Sequence, residues 1–206
     1  MSPNSYSTTL NTRNFLYPQS KAVAQLMLEG KTKEEIIYQV IDKNLFQLKS
    51  KSRTKGFLNE ILKRLTYLDE ELLHDFLNTD PLTSKAVLFY ALLKRDRLLF
   101  EWARELIWEK RRVLEWDLQR RETEVFLEKK AEQSQKVASW NAETNGRLVN
   151  ALHQVLIESG YGEKIEEHIL LQIPYIEPKI SERLKKLQDD KAVEIVLGEV
   201  RYASSD

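Results

Sequence analysis

The 206-residue chain contains no cysteine, only six glycines and only five prolines. Without cysteine, disulfides, thiolate metal sites and cysteine nucleophiles are excluded. The scarcity of glycine and proline leaves long stretches without a helix breaker, and the abundant leucine, glutamate and lysine favour helices. Because 42% of the residues are hydrophobic, the chain can bury a sizeable core. We therefore predict an all-α protein.

Signals for export or membrane insertion are also missing from the sequence. The first residues, MSPNSYSTTLNTRN, have neither the basic nor the apolar region of a secretion signal. The longest apolar run, Ala86 to Leu93, is far shorter than the roughly 20 residues that a membrane span needs. We expect a soluble cytoplasmic protein with no membrane partner.

Motifs for catalysis are absent as well. The phosphate-binding patterns G-x-x-x-x-G-K-[ST] and G-x-G-x-x-G do not occur, nor does the nucleophile elbow G-x-S-x-G. The three histidines, His74, His153 and His168, lie far apart, and none is four residues from another. We expect no enzymatic activity, no metal site and no cofactor.

Charge is distributed unevenly, although the chain has 32 basic and 32 acidic residues. Residues 1–68 hold 11 basic and 5 acidic side chains, whereas residues 69–93 hold 1 and 5, and residues 131–206 hold 9 and 13. In KNLFQLKSKSRTKGFLNEILKRL, residues 43–65, seven lysines and arginines accompany a single acid, Glu60. We call this stretch the basic segment. Such asymmetry indicates an anionic partner for one part of the chain.

Hydrophobic spacing predicts three short helices before residue 66. The first runs from about Ser20 to Glu29 and ends at Gly30, and the second follows a capping box formed by Thr32 and Glu35. The predicted inner face of the third helix consists of Phe57, Leu58, Ile61, Leu62 and Leu65. With its tight turn at Gly30, this part has the proportions of a helix-turn-helix or a small helical bundle.

The next part of the chain predicts a hydrophobic spine. Asp80 and Pro81 are typical of a helix start, and Val87–Leu93 is apolar on all sides, as expected at the centre of a fold. An apolar stripe from Leu99 to Leu114 predicts a long connecting helix. We expect core packing rather than base stacking for the four tryptophans, Trp102, Trp108, Trp116 and Trp140.

The C-terminal part predicts a second helix-turn-helix pair over residues 124–159 and shorter helices over 163–171 and 178–187. The alternation in AVEIVLGEV, residues 192–200, permits one short strand. We accordingly divide the chain into an N-terminal helical subdomain, 1–80, a spine, 81–120, and a C-terminal helical subdomain, 121–206.

The outer face of the third helix is the candidate binding surface. Side-chain cations at a helix N-terminus can contact phosphate together with free backbone N–H groups. Arg53 and Asn59 can also reach base edges if the helix enters a major groove. The candidate DNA-binding residues on and just before this helix are Lys49, Lys51, Arg53, Lys55, Asn59 and Lys63.

Three other basic clusters are expected to be solvated helix faces. They cover residues 110–112, 120–121 and 179–186, and acids such as Glu109 and Glu122 can pair with the first two. The basic segment differs from them because it has so few acids of its own.

Four segments of the sequence are characteristic as a set. They are SKAVAQLMLEGKTKEEI, KSKSRTKGFLNEILKRL, DPLTSKAVLFYALLKRDRLLFEWA and SWNAETNGRLVNALHQVLIESGYG. Their order and spacing resemble the BrxA family, the small helical A component of BREX (bacteriophage exclusion) systems. The resemblance covers almost the whole chain.

This resemblance implies a non-enzymatic DNA-binding protein, distantly similar in shape to the antitermination factor NusB. The implied partners are double-stranded DNA and other BREX components, namely a methyltransferase, an ATPase and a phosphatase-like protein. Among the candidates above, the family's basic motif falls on Lys51, Arg53, Lys55 and Lys63, and the resemblance adds Arg147 in the second helix pair. Because the C-terminal part is net acidic, contact of both halves with DNA is left open.

Two other functions stay open at this point. A helical adaptor would assemble the defence complex through protein contacts, with the acidic region 69–93 and the C-terminal region as docking surfaces. Binding of single-stranded RNA, by analogy with antitermination factors, is the other.

Overall fold

A computed structural model describes residues 5–187 and 189–199 of the chain. Its helices are α1 (Tyr17–Leu28), α2 (Lys33–Ile37), α3 (Lys51–Leu65), α4 (Glu70–Asn78), α5 (Pro81–Arg95), α6 (Arg97–Trp102), α7 (Glu109–Arg112), α8 (Arg120–Gln133), α9 (Gln135–Ala138), α10 (Ala142–Glu158), α11 (Pro178–Lys186) and α12 (Asp190–Leu197). π-helical turns extend α2 over Tyr38–Asp42 and join α6 to α7 over Ala103–Trp108, and a 3-10 turn spans Thr9–Asn11. The strands β1 (Asp117–Gln119), β2 (Gly162–Ile165) and β3 (His168–Leu171) form an antiparallel sheet in the order β1-β3-β2. The all-α prediction is confirmed, whereas the helix-turn-helix label and the three-part division stay predictions.

Helix α5 is the centre of the fold, as its sequence predicts. The residues from Ala86 to Leu93 are at most 4% exposed, and α3, α4, α6 and α12 pack around this helix. The helix begins at the predicted place, because Asp80 Oδ1 accepts the backbone N–H groups of Leu82 at 2.8 Å and Thr83 at 3.2 Å. From Ala86 to Leu93, helix α5 is therefore buried on all sides, and the surrounding helices form the core by packing against it.

The four tryptophans belong to the core, as expected. Trp102 and Trp108 are buried, and Trp116 and Trp140 are half-buried and pack against the core. Their rings are therefore not displayed as a platform on which bases could stack.

The spine helix ends earlier than its apolar stripe predicts. The helical path from α6 to α7 stops at Arg112, and Leu114, in a left-handed conformation with φ 61°, is 74% exposed. The π-helical turn over Ala103–Trp108 explains the difference, because its extra residue rotates everything beyond it relative to the core. That rotation buries Arg111, whose guanidinium donates to the carbonyls of two residues near the C-terminus, Gln172 and Ile195.

The helix predicted over residues 163–171 is wrong, because this segment forms the β2–β3 hairpin. Glu166 takes a left-handed conformation, φ 50°, in the two-residue turn, and Ile169 and Leu171 are buried at a spacing of two. Gly162 fits here because a Cβ at this position would lie 2.6 Å from Ile169 Cγ2. The alternating burial of β3 follows from its pairing with β1 and β2, so these pairings outweigh the helix-favouring glutamates.

The segment in which the sequence permits a strand, residues 192–200, contains most of helix α12 instead. Val193 and Val196 are fully buried at a helical spacing of three, and Ala192 and Ile195 are buried beside them. Contacts with α5 and with the spine favour the helical form, because they cover α12 on more than one side. Val200, the end of the proposed strand, lies outside the described residues.

The N-terminal arm, residues 5–16, is held to α3 by a buried arginine. Arg64 is 1% exposed, and its guanidinium donates to the carbonyls of Asn14 at 2.5 Å and Phe15 at 3.3 Å, and also to that of Arg13. Glu60 lies 3.5 Å away as the paired carboxylate. Burial lowers the pKa of Arg64 to about 10, while Glu60 opposes this shift, so the guanidinium stays charged at neutral pH.

A second buried polar chain joins the spine to α8 and α10. Trp102 Nε1 donates to Thr123 Oγ1 at 3.2 Å, and that oxygen lies 2.8 Å from His153 Nε2. Because the hydroxyl accepts from the indole, its own hydrogen is available to Nε2, and we assign that nitrogen as unprotonated. Burial lowers the pKa of His153 from 6.5 to about 4, so the ring is neutral at physiological pH.

We predict that Arg64→Met lowers the free energy of unfolding by about 3–5 kcal/mol, because it leaves the carbonyls of the arm without their donor inside the core and leaves Glu60 with Arg95 as its remaining partner. Urea denaturation followed by circular dichroism measures the change. Lys63→Met, at the exposed neighbouring position, is the matched control and should change stability by less than about 0.5 kcal/mol. Equal effects of the two substitutions would contradict the structural role of Arg64.

We also predict a pH-dependent contribution from His153. Its pKa is 6.5 when unfolded and about 4 when folded, so the unfolded state takes up the proton first. The contribution is therefore complete above pH 6.5 and is lost as the pH falls towards 4. His153→Gln removes the titrating group, so the difference in unfolding free energy between wild type and variant should shrink across this window. A difference that stays constant there would refute the assignment.

Candidate nucleic-acid interface

Helix α3 separates an apolar inner face from a polar outer face, as predicted. Its inner residues Phe57, Leu58, Ile61 and Leu65 are at most 6% exposed, and Leu62 is half-buried. Of the seven cations in the basic segment, Arg64 belongs to the core instead. All six candidate residues of this region are exposed, namely Lys49 before the helix and Lys51, Arg53, Lys55, Asn59 and Lys63 along it.

The exposed cations of α3 have little charge compensation. Lys51 lies 3.6 Å from Asp42, but the two side chains are 78% and 52% exposed, so the pair is weak. Arg53 places its guanidinium over the ring of Phe57, 5.2 Å from the centroid. Within the described part of the chain, no ion pair involves the other cations of the surface, Lys49, Lys55 and Lys63, or Arg53 itself.

The start of α3 adds a second source of positive potential. Ser50 Oγ caps the helix by accepting the N–H of Arg53 at 3.3 Å, and the first turn contains no acidic residue. Lys51 and Arg53 therefore stand near the positive end of the helix dipole, an arrangement that is unfavourable unless an anion is nearby. A phosphate at this end would contact both side-chain cations and backbone N–H groups.

The arm places another cation beside this surface, which the sequence interpretation missed. Arg13 Nε donates to the carbonyl of Gly56 at 3.0 Å, and a Cβ at Gly56 would lie 2.7 Å from Arg13 Nη2. Arg13, Arg53 and Phe57 line a cleft of about 430 Å³ together with other residues of the arm. Only the fold reveals this neighbour, because Arg13 precedes Arg53 by 40 positions in the sequence.

Arg147, the candidate from the second helix pair, lies on the exposed side of α10. Its guanidinium pairs with Glu143 one turn earlier, and both side chains are largely exposed. The arm connects α10 with the α3 surface, because Asn11 Nδ2 donates to the carbonyl of Thr144 at 3.3 Å. Arg147 thus belongs to a different helix from the other candidates and already has an acidic partner.

Each of the other basic clusters contains cations in close ion pairs, in contrast to the exposed cations of the basic segment. Lys110 lies 2.6 Å from Glu122, and Arg112 lies 3.0 Å from Glu109. The arginines at 120 and 121 pair with glutamates of their own helix, and the cluster on α11 contributes an arginine to an ion pair with α4. The expectation that the first two clusters meet nearby acids is confirmed.

Two further classes of site can be assessed within residues 5–187 and 189–199. In this part of the chain, no group of three or more histidine, aspartate or glutamate side chains is arranged to hold a metal ion. None of its helices is both long and apolar enough to cross a membrane.

Comparisons with known proteins cover almost the whole chain. The family model described as BrxA matches residues 4–188. A protein named BREX protein BrxA from Bacillus cereus (strain H3081.97) is 32% identical over 194 residues, which are 94% of this chain and 97% of the relative. Another BREX protein BrxA, from Paramagnetospirillum magneticum (strain ATCC 700264 / AMB-1), is 22% identical over 76% of this chain and 78% of its own length.

A solved structure shares the fold. The crystal structure of an uncharacterized protein from Magnetospirillum magneticum superposes with a TM-score of 0.79 at 19% sequence identity. The match covers 94% of this chain and 99% of that one. At this level of identity the likeness concerns the fold alone.

Proposed function

Because this chain belongs to the BrxA family, we propose that it is a non-enzymatic component of a BREX phage-defence system and that it binds double-stranded DNA. The observation that carries the proposal is the row of exposed cations along α3, in which Lys51 alone has an acidic partner among the described residues, whereas each of the other basic clusters contains cations in close ion pairs. In this view the cations contact the phosphate backbone. The methyltransferase, the ATPase and the phosphatase-like protein of the system are the protein partners.

The proposed contact begins at the N-terminal half of α3. Lys49, Lys51, Arg53 and Lys55 surround the positive end of the helix dipole, and Arg13 extends the charged surface across the arm. Phosphate contacts position a protein on DNA without reading its sequence, so we expect low sequence specificity. The remaining candidates are Asn59 and Lys63, which continue the surface along the helix, and Arg147, which adds to it only if DNA displaces its glutamate.

Binding of this kind depends strongly on salt. Each phosphate that is neutralised releases condensed counterions, so about four to six contacts give a log–log slope of about −4 to −5. Single-stranded RNA binding and a pure adaptor role are the competing functions. Anisotropy titrations of labelled duplex DNA, single-stranded DNA and RNA distinguish all three, because the adaptor predicts no nucleic-acid binding and the RNA function predicts preference for RNA.

We predict that Arg53→Glu/Lys55→Glu removes duplex binding at physiological salt and makes the slope of any binding left at low salt shallower by about 2. The control, Lys129→Glu/Lys136→Glu, makes the same change in net charge at exposed positions on α8 and α9. Wild-type affinity in the first variant, or an equal loss in the control, would show that α3 is not the contact surface. Thermal melting of both variants establishes that they are folded.

A second prediction concerns the arm. Arg13→Gln should leave binding detectable but make the salt slope shallower by about 1, because one phosphate contact is lost. The same anisotropy titration measures it. An unchanged slope would exclude Arg13 from the interface while leaving α3 as the contact helix.

A further inference from the structure

A groove lies beside the C-terminal half of α3, between that helix and the turn that joins α1 to α2. Its volume is about 890 Å³. We call it the α2–α3 groove. Met27 and Leu62 contribute apolar surface to it, with the buried Ile36 beneath them. Three lysines, Lys31, Lys33 and Lys63, contribute positive charge, and Arg95, which also lines the groove, is paired with Glu60.

The positive charge of the groove meets no acidic side chain among the described residues that line it. Glu60, which lies between the lining residues Asn59 and Leu62 in the sequence, is only 7% exposed and is already engaged by Arg64 at 3.5 Å and Arg95 at 3.4 Å. The three lysines are exposed, and within residues 5–187 and 189–199 they form no ion pair. Glu35, at the start of α2, interacts electrostatically with Lys31 but does not line the groove, so the lysine charges remain accessible to an occupant.

The combination of charge and apolar surface indicates the chemistry of that occupant. The sugar-phosphate backbone of a duplex presents mainly charged and polar groups, which match the apolar surface of Met27 and Leu62 poorly, and both of these residues are half-buried. A peptide that carries both apolar side chains and carboxylates matches the two kinds of surface at once. The groove is open and near the upper end of small-molecule pocket volumes, which favours a segment of a protein chain.

We propose that the α2–α3 groove binds an acidic, partly apolar peptide segment of a partner protein. The apolar side chains of the peptide pack on Met27 and Leu62, where the flexible methionine adapts to their shape. Its carboxylates pair with Lys31, Lys33 and Lys63 at the rim. The proposed DNA contact begins at the other end of α3. Only two of its candidate residues, Asn59 and Lys63, also line the groove.

The test begins with selection from a displayed library of random peptides, each about three helical turns long, on the purified full chain. Peptides that combine several Asp or Glu residues with Leu, Ile, Phe, Trp or Met should be enriched. The best of these is then synthesised with a fluorescent label and titrated by anisotropy. An enriched set without this composition, or no enrichment at all, would overturn the proposal.

Matched variants locate the binding. Lys31→Glu/Lys33→Glu should weaken binding of the labelled peptide at least about tenfold, because both rim charges become repulsive. Arg53→Glu/Lys55→Glu should leave the affinity for the peptide unchanged. The same holds for the control variant on α8 and α9. Equal affinity of wild type and Lys31→Glu/Lys33→Glu would reject the groove as the binding site.

The same variants separate this proposal from DNA binding. Lys31→Glu/Lys33→Glu should keep duplex binding, and Arg53→Glu/Lys55→Glu should lose it while keeping the peptide. If Lys31→Glu/Lys33→Glu loses duplex or single-stranded DNA and its affinity for the peptide is unchanged, the groove is a nucleic-acid surface and the proposal is wrong. If the wild type binds no duplex DNA, the proposed DNA-binding function is wrong, and the peptide proposal is decided by the peptide titrations alone.

Discussion

One buried guanidinium connects the N-terminal arm to the helix that presents the exposed cations. Arg64 donates to three successive carbonyls of the arm, a task for which a planar group with five N–H donors is better suited than an ammonium. Because those carbonyls are fixed, the side chain of Arg13 is directed to the start of α3, where it meets Gly56. The position of a surface cation therefore depends on a contact inside the core.

The same helix uses one residue type for two purposes, and burial distinguishes them. Arg64 is enclosed and has both an acidic partner and carbonyl acceptors, so its charge is neutralised within the fold. Arg53, on the outer face, lies over the ring of Phe57, and its charge is available to a ligand. A basic run in a sequence thus overstates the charge that a surface presents, because the run does not reveal which of its cations are buried.

Much of this fold follows from local patterns, because its helix starts are encoded by neighbouring residues. The capping box at Thr32 and the start at Asp80 and Pro81 both form as predicted. Two of the predictions that were wrong depend on features that local sequence patterns do not encode. The β2–β3 hairpin depends on its pairing with β1. The π-helical turn in the spine changes which residues of that helix face the core, and no residue pattern in the sequence predicts this turn. For the candidate site, the exposed face of α3 could be predicted, whereas Arg13 could not.

The two proposed surfaces are centred toward opposite ends of α3, and the length of the helix determines how strongly they interact. Arg53 and Lys63 are ten residues apart, which corresponds to about 15 Å along the axis. At physiological ionic strength the Debye length is about 8 Å, so charges at the two ends are largely screened from each other. At low salt this screening is lost, and an acidic peptide in the α2–α3 groove would then reduce the attraction of the N-terminal half for phosphate. The proposed DNA contact at the N-terminal half of α3 and the proposed peptide site are therefore electrostatically independent at physiological ionic strength, except at Asn59 and Lys63, which belong to both surfaces.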